Sequence, residues 1–409
     1  MSKLLIIGFV WPEPKSSAAG SRMMQLIKLF LAEGFDITFA SACSKTDNAF
    51  NLKLLGISQT EIELNNSSFD TLITDLKPEV VLFDRFMIEE QFGWRVTQNC
   101  PEAIRILDTE DLHCLRKGRE QAFNERQPFD NSYLFRDIAK REIASIYRCD
   151  LSLIISEAEI SILQHDFNIP KNILHYLPFL VEDISVENLS QLPTYNERQH
   201  FVTIGNFLHP PNMDSVKYLK ESIWPIIRAQ LKDTELHIYG AYVNEKVKQF
   251  EDKNNGFFIN GFAEDVSKIM ANARVCLSPL RFGAGLKGKF FDAMQNGTPF
   301  ITTTIGGEGI IEPDSLHNFI SDEVDTIVSQ SVDIYQNEAL WKLQQKKGFN
   351  ILSERFNKTV HVRRLLNKLE NLITNKENYR LQNFTGSMLN FHTMQSTKYM
   401  SRWIEAKNK

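Results

Sequence analysis

Short apolar runs separated by amphipathic stretches organise the first half of the chain. LLIIGFV (4–10), DITFAS (36–41), VVLFD (80–84), IRIL (104–107) and LSLIIS (151–156) have the length and composition of strands. Several are continuously apolar rather than alternating, the pattern of a parallel sheet covered by helices on both faces. Between the first two, AAGSRMMQLIKLFLAEGF repeats its apolar positions at helical spacing and stops at Gly34. Residues 110–148 are charged and read as helical, lying across the sheet. Their basic, aromatic part from Arg116 to Arg148 reads as a solvated face, with a membrane lipid or another protein as the alternative contact.

The pattern then breaks. VEDISVENLSQLPTYNERQ (181–199) is polar, carries a proline and has no period, so it reads as a linker. The alternation restarts with HFVTIGN (200–206), a helix through Tyr218, ELHIYG (235–240), GFFINGF (256–262), VCLSPL (275–280) and PFITTTIG (299–306). Two such series predict an α/β chain with two doubly wound domains facing a cleft, one over 1–180 and one over 200–384. Ligands of such sheets sit outside the carboxyl ends of the strands. The last stretch, 320–409, reads as helical and charged.

Composition narrows the function classes. The 409 residues carry a formal charge of −5, which disfavours nonspecific nucleic-acid binding by phosphate neutralisation, so no nucleic-acid partner is expected. Five cysteines with no CxxC spacing fit a reducing cytosol better than a disulfide framework or a structural zinc site. The opening apolar run is short and ends at Trp11-Pro12, as a strand rather than a signal peptide. No apolar run reaches the roughly 20 residues of a membrane span. The expected location is therefore cytoplasmic, with peripheral contact at the inner face of a membrane left open.

The densest chemistry lies in LSPLRFGAGLKGKFFDAM (277–294), where a strand ends and a helix is expected to begin near Leu286. Gly283, Gly285 and Gly288 permit tight turns and close approach of the backbone. Arg281, Lys287 and Lys289 crowd the first turn of the helix, where cations are least favoured unless an anion compensates them. Asp292, one turn further on, suits sugar hydroxyls. The spacing is not that of a Walker loop, because Lys289 is followed by Phe290 rather than a hydroxyl residue.

PLRFGAGLKGKFFDAMQNGTPFITTTIGGEGI resembles the donor-binding segment of the GT-B glycosyltransferases, specifically the large retaining glycosyltransferase family 4 (glycosyl transferases group 1 type). GNFLHPPNMDSVKYL, DTEDLHCLR and WPEPKSSAAGSRMMQL are similar to other segments of a bacterial subgroup, in order along the chain. The resemblance implies two Rossmann-like domains with a C-terminal helix, about 385–409, packed back on the first. It also implies transfer of a sugar from a nucleoside-diphosphate donor, with retention and without a metal or other cofactor, to an acceptor glycan, lipid or protein.

Carried over by position, Lys287 or Lys289 neutralises the diphosphate, with Lys287 favoured, and Asp292 holds the ribose. Two features depart from the family pattern. Ala284 stands where a first acid is usual, and no arginine–lysine pair follows Gly205. His113 is the histidine expected to contact the transferred sugar or the reaction centre, with Asp108, Glu110 and Asp111 to orient it or raise its pKa. Asp108 is alternatively a helix cap. Gly20 and Ser21 open a helix and are expected to point their N–H groups into the cleft, with Arg22 directed at the diphosphate or an anionic acceptor. Asn212 is expected to line the donor site, Gly307 to leave room for a sugar or phosphate, and Glu308 to bind sugar hydroxyls. His165, His175, His200, His237, His317, His361 and His392 show no metal-ligand spacing and are unassigned. The reading is a glycosyltransferase. A catalytically silent nucleotide-sugar-binding scaffold and a sugar-nucleotide epimerase on the same fold are the alternatives.

Overall fold

The computed structural model describes residues 2–312 and 320–408. Its first sheet has seven parallel strands: β1 (Lys3–Gly8), β2 (Asp36–Ser41), β3 (Ser58–Glu61), β4 (Val80–Asp84), β5 (Ile104–Asp108), β6 (Leu151–Ile154) and β7 (Leu174–Tyr176). Their order is β3-β2-β1-β4-β5-β6-β7. The second has five: β8 (Gln199–Ile204), β9 (Leu236–Tyr239), β10 (Phe257–Gly261), β11 (Ala273–Leu277) and β12 (Phe300–Ile301), in the order β10-β9-β8-β11-β12. Every strand pairing is parallel. In both sheets the order reverses beside the first strand of the series, the place where such folds open a ligand crevice.

The apolar runs are strands because both their faces are covered. Leu4, Ile6, Leu82 and Ile106 enter one core beneath the Ala18–Ala32 helix, while Leu5, Ile7, Val81 and Leu107 enter another on the opposite face. Gly34, with φ of +77°, follows that helix. Two strands lay outside the apolar pattern. β3 is SQTE, a half-exposed edge strand, and β7 is three residues long. The expected strand 299–306 is shortened to Phe300–Ile301, because Thr303 caps a short helix, Thr304–Gly307, by accepting from the Gly306 N–H at 3.2 Å.

The chain passes between the two sheets twice, and the two passages touch. The Val181 N–H donates to Phe356 O at 2.9 Å, and the Lys358 N–H donates to Val181 O at 2.8 Å. The return is earlier than position 385. The Lys358–Thr374 helix already buries Leu365, Leu369 and Leu372 in the first core, so the second unit ends near 357 rather than 384. The Phe384–Asn408 helix then lies over the Phe86–Asn99 and Asp137–Arg148 helices as an outer layer. The 110–148 stretch is not a solvated face throughout: Glu142, Ser145, Ile146 and Arg148 are buried, and Arg148 forms a two-pronged pair with Glu89. Among the described residues, no helix is long and apolar enough to cross a membrane.

Candidate functional site

The carboxyl ends of β1, β4 and β5 face those of β8 and β11 across a cleft, and most of the expected residues converge there. Lys287 caps the Gly288–Gln295 helix, so the helix begins two residues later than expected. Gly288 meets the start of the Ala18–Ala32 helix: a side-chain carbon at 288 would lie 2.9 Å from Ala18 Cβ. Two helix N-termini therefore converge, each with a partial positive charge and unpaired amides. The amides without a partner among the described residues are those of Ala18, Ala19, Gly288 and Lys289. Gly20 and Ser21 do not supply them. The Gly20 N–H is taken by the Ser17 side chain at 3.0 Å and the Ser21 N–H by Ser17 O at 3.1 Å. The cleft-facing amides of this helix start two residues earlier.

Lys287 is buried and Lys289 half-buried, and neither has a carboxylate partner. Lys287 Nζ donates to Gly285 O at 2.8 Å; Lys289 Nζ donates to Asn212 Oδ1 at 2.9 Å and Ser278 Oγ at 3.1 Å. All three acceptors are neutral. Burial pulls both ammonium groups down to about 8, with Glu308 opposing the fall at Lys287. Asn212 thus holds Lys289 in place, its own amide donating to Asn206 O at 2.9 Å. Asp292 complements them as an acid whose carboxylate has no hydrogen bond among the described residues, raised by burial to about 7. At Gly283 there is open space: a side-chain carbon would have only Lys287 and Pro211 near it, both at 4.0 Å.

Arg281 is not a free cation. Its Nε and Nη2 hold Asp214 at 2.9 and 2.6 Å, and its guanidinium lies between the rings of Tyr218 and Phe123 at 4.3 and 4.6 Å. Glu308 is likewise engaged, by a two-pronged pair with Arg119 at 2.7 and 2.8 Å across the cleft. Burial would raise its pKa, but Arg119 outweighs burial and holds it low. Gly307 leaves no room for a sugar, because Ile320 fills the place a side chain there would take.

The N-terminal wall corrects two further expectations. Arg22 is 1% exposed and is directed inward: its Nε and Nη2 grip Asp108 at 2.7 to 3.1 Å, and Nη1 donates to Leu177 O at 2.7 Å. Held this way it offers no free cation to the cleft, and Asp108 is its counter-ion rather than a cap. The His113–Glu125 helix is capped by Glu142 instead, which accepts from the N–H groups of His113 and Cys114 at 2.9 and 2.8 Å. That helix start is closed to any other anion.

His113 packs edge-on against Phe86, with Nε2 3.3 Å from Asp111 Oδ1. The nearby acids do not raise its pKa. Burial dominates, Arg116, Arg85 and Lys117 add to it, and the imidazole falls to about 4 despite Asp111. It is neutral at physiological pH. Glu110 has a positive φ of 62°, and Arg85 at the end of the neighbouring strand has one of 70°. Two non-glycine residues in this region mark a constrained cleft edge. Glu110 is pushed well above the ordinary carboxylate range by burial and by Asp108, against the pull of Arg85.

Several residues of the cleft escaped the sequence reading. Arg119 donates to Gly283 O at 2.9 Å as well as to Glu308, and Glu159 accepts the Gly285 N–H at 2.8 Å and the Leu112 N–H at 3.0 Å. The 283–286 loop is thereby fastened to the N-terminal wall beside Ala284. Gly285 needs its φ of +66° here, and a side chain would sit 2.9 Å from Asp111 Cβ. Burial lifts Glu159 to about 8. Each of these contacts joins residues more than 40 positions apart, which no local motif reports.

Away from the cleft, His200, Glu235 and His237 are the one group among the described residues that could hold a metal. Strand pairing brings them together; spacing along the chain does not. His237 Nε2 lies 2.9 Å from the Glu235 carboxylate, and the Glu235 N–H donates to His200 Nδ1 at 3.2 Å. That last bond puts the proton of neutral His200 on Nε2, the atom facing the carboxylate, so the trio is satisfied as a hydrogen-bonded cluster. His317 lies outside the described residues.

Comparison with known proteins fits this architecture. Residues 198–337 match the family model of the glycosyl transferases group 1. The chain is 21% identical over 345 residues to an uncharacterized 44.6 kDa protein in the cps region of Klebsiella pneumoniae, covering 76% of this chain and 84% of that one. Sucrose-phosphate synthase from Thermosynechococcus elongatus superposes with a TM-score of 0.67 at 14% identity, covering 91% of this chain and 100% of the other. HepE of Anabaena, solved with UDP and glucose, superposes with a TM-score of 0.65 at 11% identity, covering 90% and 100%. The fold is GT-B: two parallel sheets flanked by helices and facing one another.

Proposed function

We propose that the chain is a glycosyltransferase of the family 4 type that takes a sugar from a nucleoside-diphosphate donor bound in the cleft. The observation that carries this reading is the pair Lys287, buried, and Lys289, half-buried, which lack a carboxylate partner at the meeting point of two helix N-termini. Buried charges are normally paired, and two unpaired ammonium groups ask for an anion. A diphosphate answers both, and the amides of Ala18, Ala19, Gly288 and Lys289 add neutral donors around it. The match of residues 198–337 to a glycosyl transferase model supports the same assignment.

In this reading charge develops on the β-phosphate as the glycosidic bond breaks, and the preorganised lysines stabilise it with little rearrangement. Asp292, one helical turn on, accepts the ribose hydroxyls. His113, neutral and with Nε2–H directed at Asp111, keeps Nδ1 as an acceptor for a hydroxyl of the sugar or the acceptor. Arg119 and Glu159 hold the donor loop against the N-terminal wall, which shields the reacting centre from water. No metal enters the scheme, since the lysines take the role of the counter-cation. Retention of configuration is part of the proposal through the family resemblance. The acceptor is a glycan, lipid or protein.

The test is a panel of nucleotide sugars incubated with the full chain, scoring release of nucleoside diphosphate in the presence of chelator, with the anomer of any product read by NMR. Donor-dependent release that Lys287→Ala abolishes supports the reading. Wild-type turnover by that variant overturns the site, and tight donor binding without turnover on any acceptor points to the scaffold instead.

A further inference from the structure

We infer that the outer face of the Phe384–Asn408 helix docks onto an anionic lipid surface. A helix lying on a domain ordinarily turns its apolar stripe inward; this one carries a second, outward stripe. Its inward face mixes half-buried Leu389, Met394 and Ile404 with small and polar residues. Gly386 lies against Tyr147 O, Asn390 is 3.5 Å from Arg105, Ser401 is 3.3 Å from Arg95, and Glu405 accepts from Ser67 Oγ at 2.7 Å. Its outward face carries Phe384, Met388, Phe391, Tyr399 and Trp403. Phe384 is 76% exposed, Phe391 62% and Trp403 60%. At about 100° per residue these five fall within roughly 120° of one another around the helix axis. Leu381, 78% exposed, extends the stripe onto the preceding turn.

The charges on the helix select the occupant. Lys398, Arg402 and Lys407 lie on or beside the stripe, and the acid of the helix, Glu405, points inward. Lys398 Nζ sits 5.9 Å from the centre of the Tyr399 ring and Lys407 Nζ 5.3 Å from that of Trp403. Aromatic rings alternating with cations suit the boundary between acyl chains and anionic headgroups, where rings enter the apolar layer and cations stay with the phosphates. A second copy of the chain fits less well: a two-fold interface sets a patch against itself, and this one would bring its cations together with no acid to face them. The cations of the 116–148 region are mostly held by acids, such as Arg141 by Glu90, and offer no comparable surface.

The full chain is sedimented with vesicles of phosphatidylcholine containing phosphatidylglycerol, and with vesicles of phosphatidylcholine alone. Binding is expected to the first and to weaken with salt. The combined variant F391S/Y399S/W403S and, separately, K398E/R402E are each expected to lower the partition coefficient by about tenfold or more. The altered side chains are exposed or, at Lys398, half-exposed, so thermal melts should remain those of the native chain. Absence of binding by the native chain, or equal binding by both variants, overturns the inference. So does a dimer seen by light scattering that the triple serine variant dissolves, which assigns the face to a second copy.

Discussion

The two walls of the cleft handle charge in opposite ways. On the N-terminal side, Arg22 holds Asp108, Arg116 holds Asp111, and Glu142 closes the start of the His113–Glu125 helix. On the C-terminal side, Lys287 and Lys289 have only neutral partners and the Asp292 carboxylate has none among the described residues. The first wall uses its charges to build itself. The second pairs Arg281 with Asp214 and Glu308 with Arg119, yet leaves Lys287, Lys289 and Asp292 without a counter-charge. What separates the two sets is whether the protein itself supplies the counter-charge.

The contrast breaks most visibly at Arg22. Arg22→Ala leaves Asp108 buried without its partner, and a stability loss of about 3–5 kcal/mol is expected in denaturant unfolding. Lys287→Ala should do the reverse to the apo chain, leaving its melting temperature unchanged or higher, because an unpaired buried ammonium is removed. Its effect appears with ligand: nucleoside diphosphate binding, measured by calorimetry, should weaken by about 30- to 100-fold, the value of a charge-assisted hydrogen bond of about 2–3 kcal/mol. Asp292→Ala sharpens the comparison further. It should weaken nucleoside diphosphate binding by about tenfold, as loss of one hydrogen-bonded contact predicts, while leaving inorganic pyrophosphate binding intact. A uniform loss for both ligands would move Asp292 from the ribose to the phosphates.

The smallest expected effect is on pH dependence. Glu159 has a folded pKa of about 8, above its ordinary 4.5, so the folded chain holds a proton that the unfolded chain releases in that interval. Its contribution to stability is therefore lost as pH rises from about 4.5 to 8. Lys287 and Lys289, lowered to about 8 from 10.5, work the other way between those values: the unfolded chain binds the extra protons, so stability recovers with rising pH. Melting temperature against pH should dip near 8. Glu159→Gln should flatten part of the acid limb, to which Asp292 and Glu142, both raised to about 7, also contribute, and bound diphosphate should flatten the alkaline one.

These differences mark what the sequence could and could not disclose. The glycines and lysines of 283–289 were legible because cations in the first turn of a helix are anomalous and all lie within one short segment. The same signal misread Arg281, whose partner Asp214 is 67 residues away, and Arg22, whose partner Asp108 is 86 away. Glu142 and Glu159 were hidden inside stretches with the composition of solvated helices, since a buried carboxylate looks like an exposed one until the fold brings it a backbone N–H. Strands followed the same rule. β1 and β4, buried on both faces, announced themselves, whereas β3, half-exposed at an edge, had no apolar pattern to show.

The contact between the two passages at Val181 and Asn357 has a kinematic consequence. Two links fastened to each other restrict the sheets to turning about one point, and Arg355, whose Nη1 is 2.9 Å from Ile310 O, places that point on the β12 side of the cleft. The hydrogen bonds from Tyr242 to Glu13 at 2.8 Å and from Asn206 to Ser16 O at 3.2 Å lie at the far edge, beside the ends of β1 and β2, and travel the longest arc. Any turn about this point would part Tyr242 from Glu13 before it disturbed the β12 side.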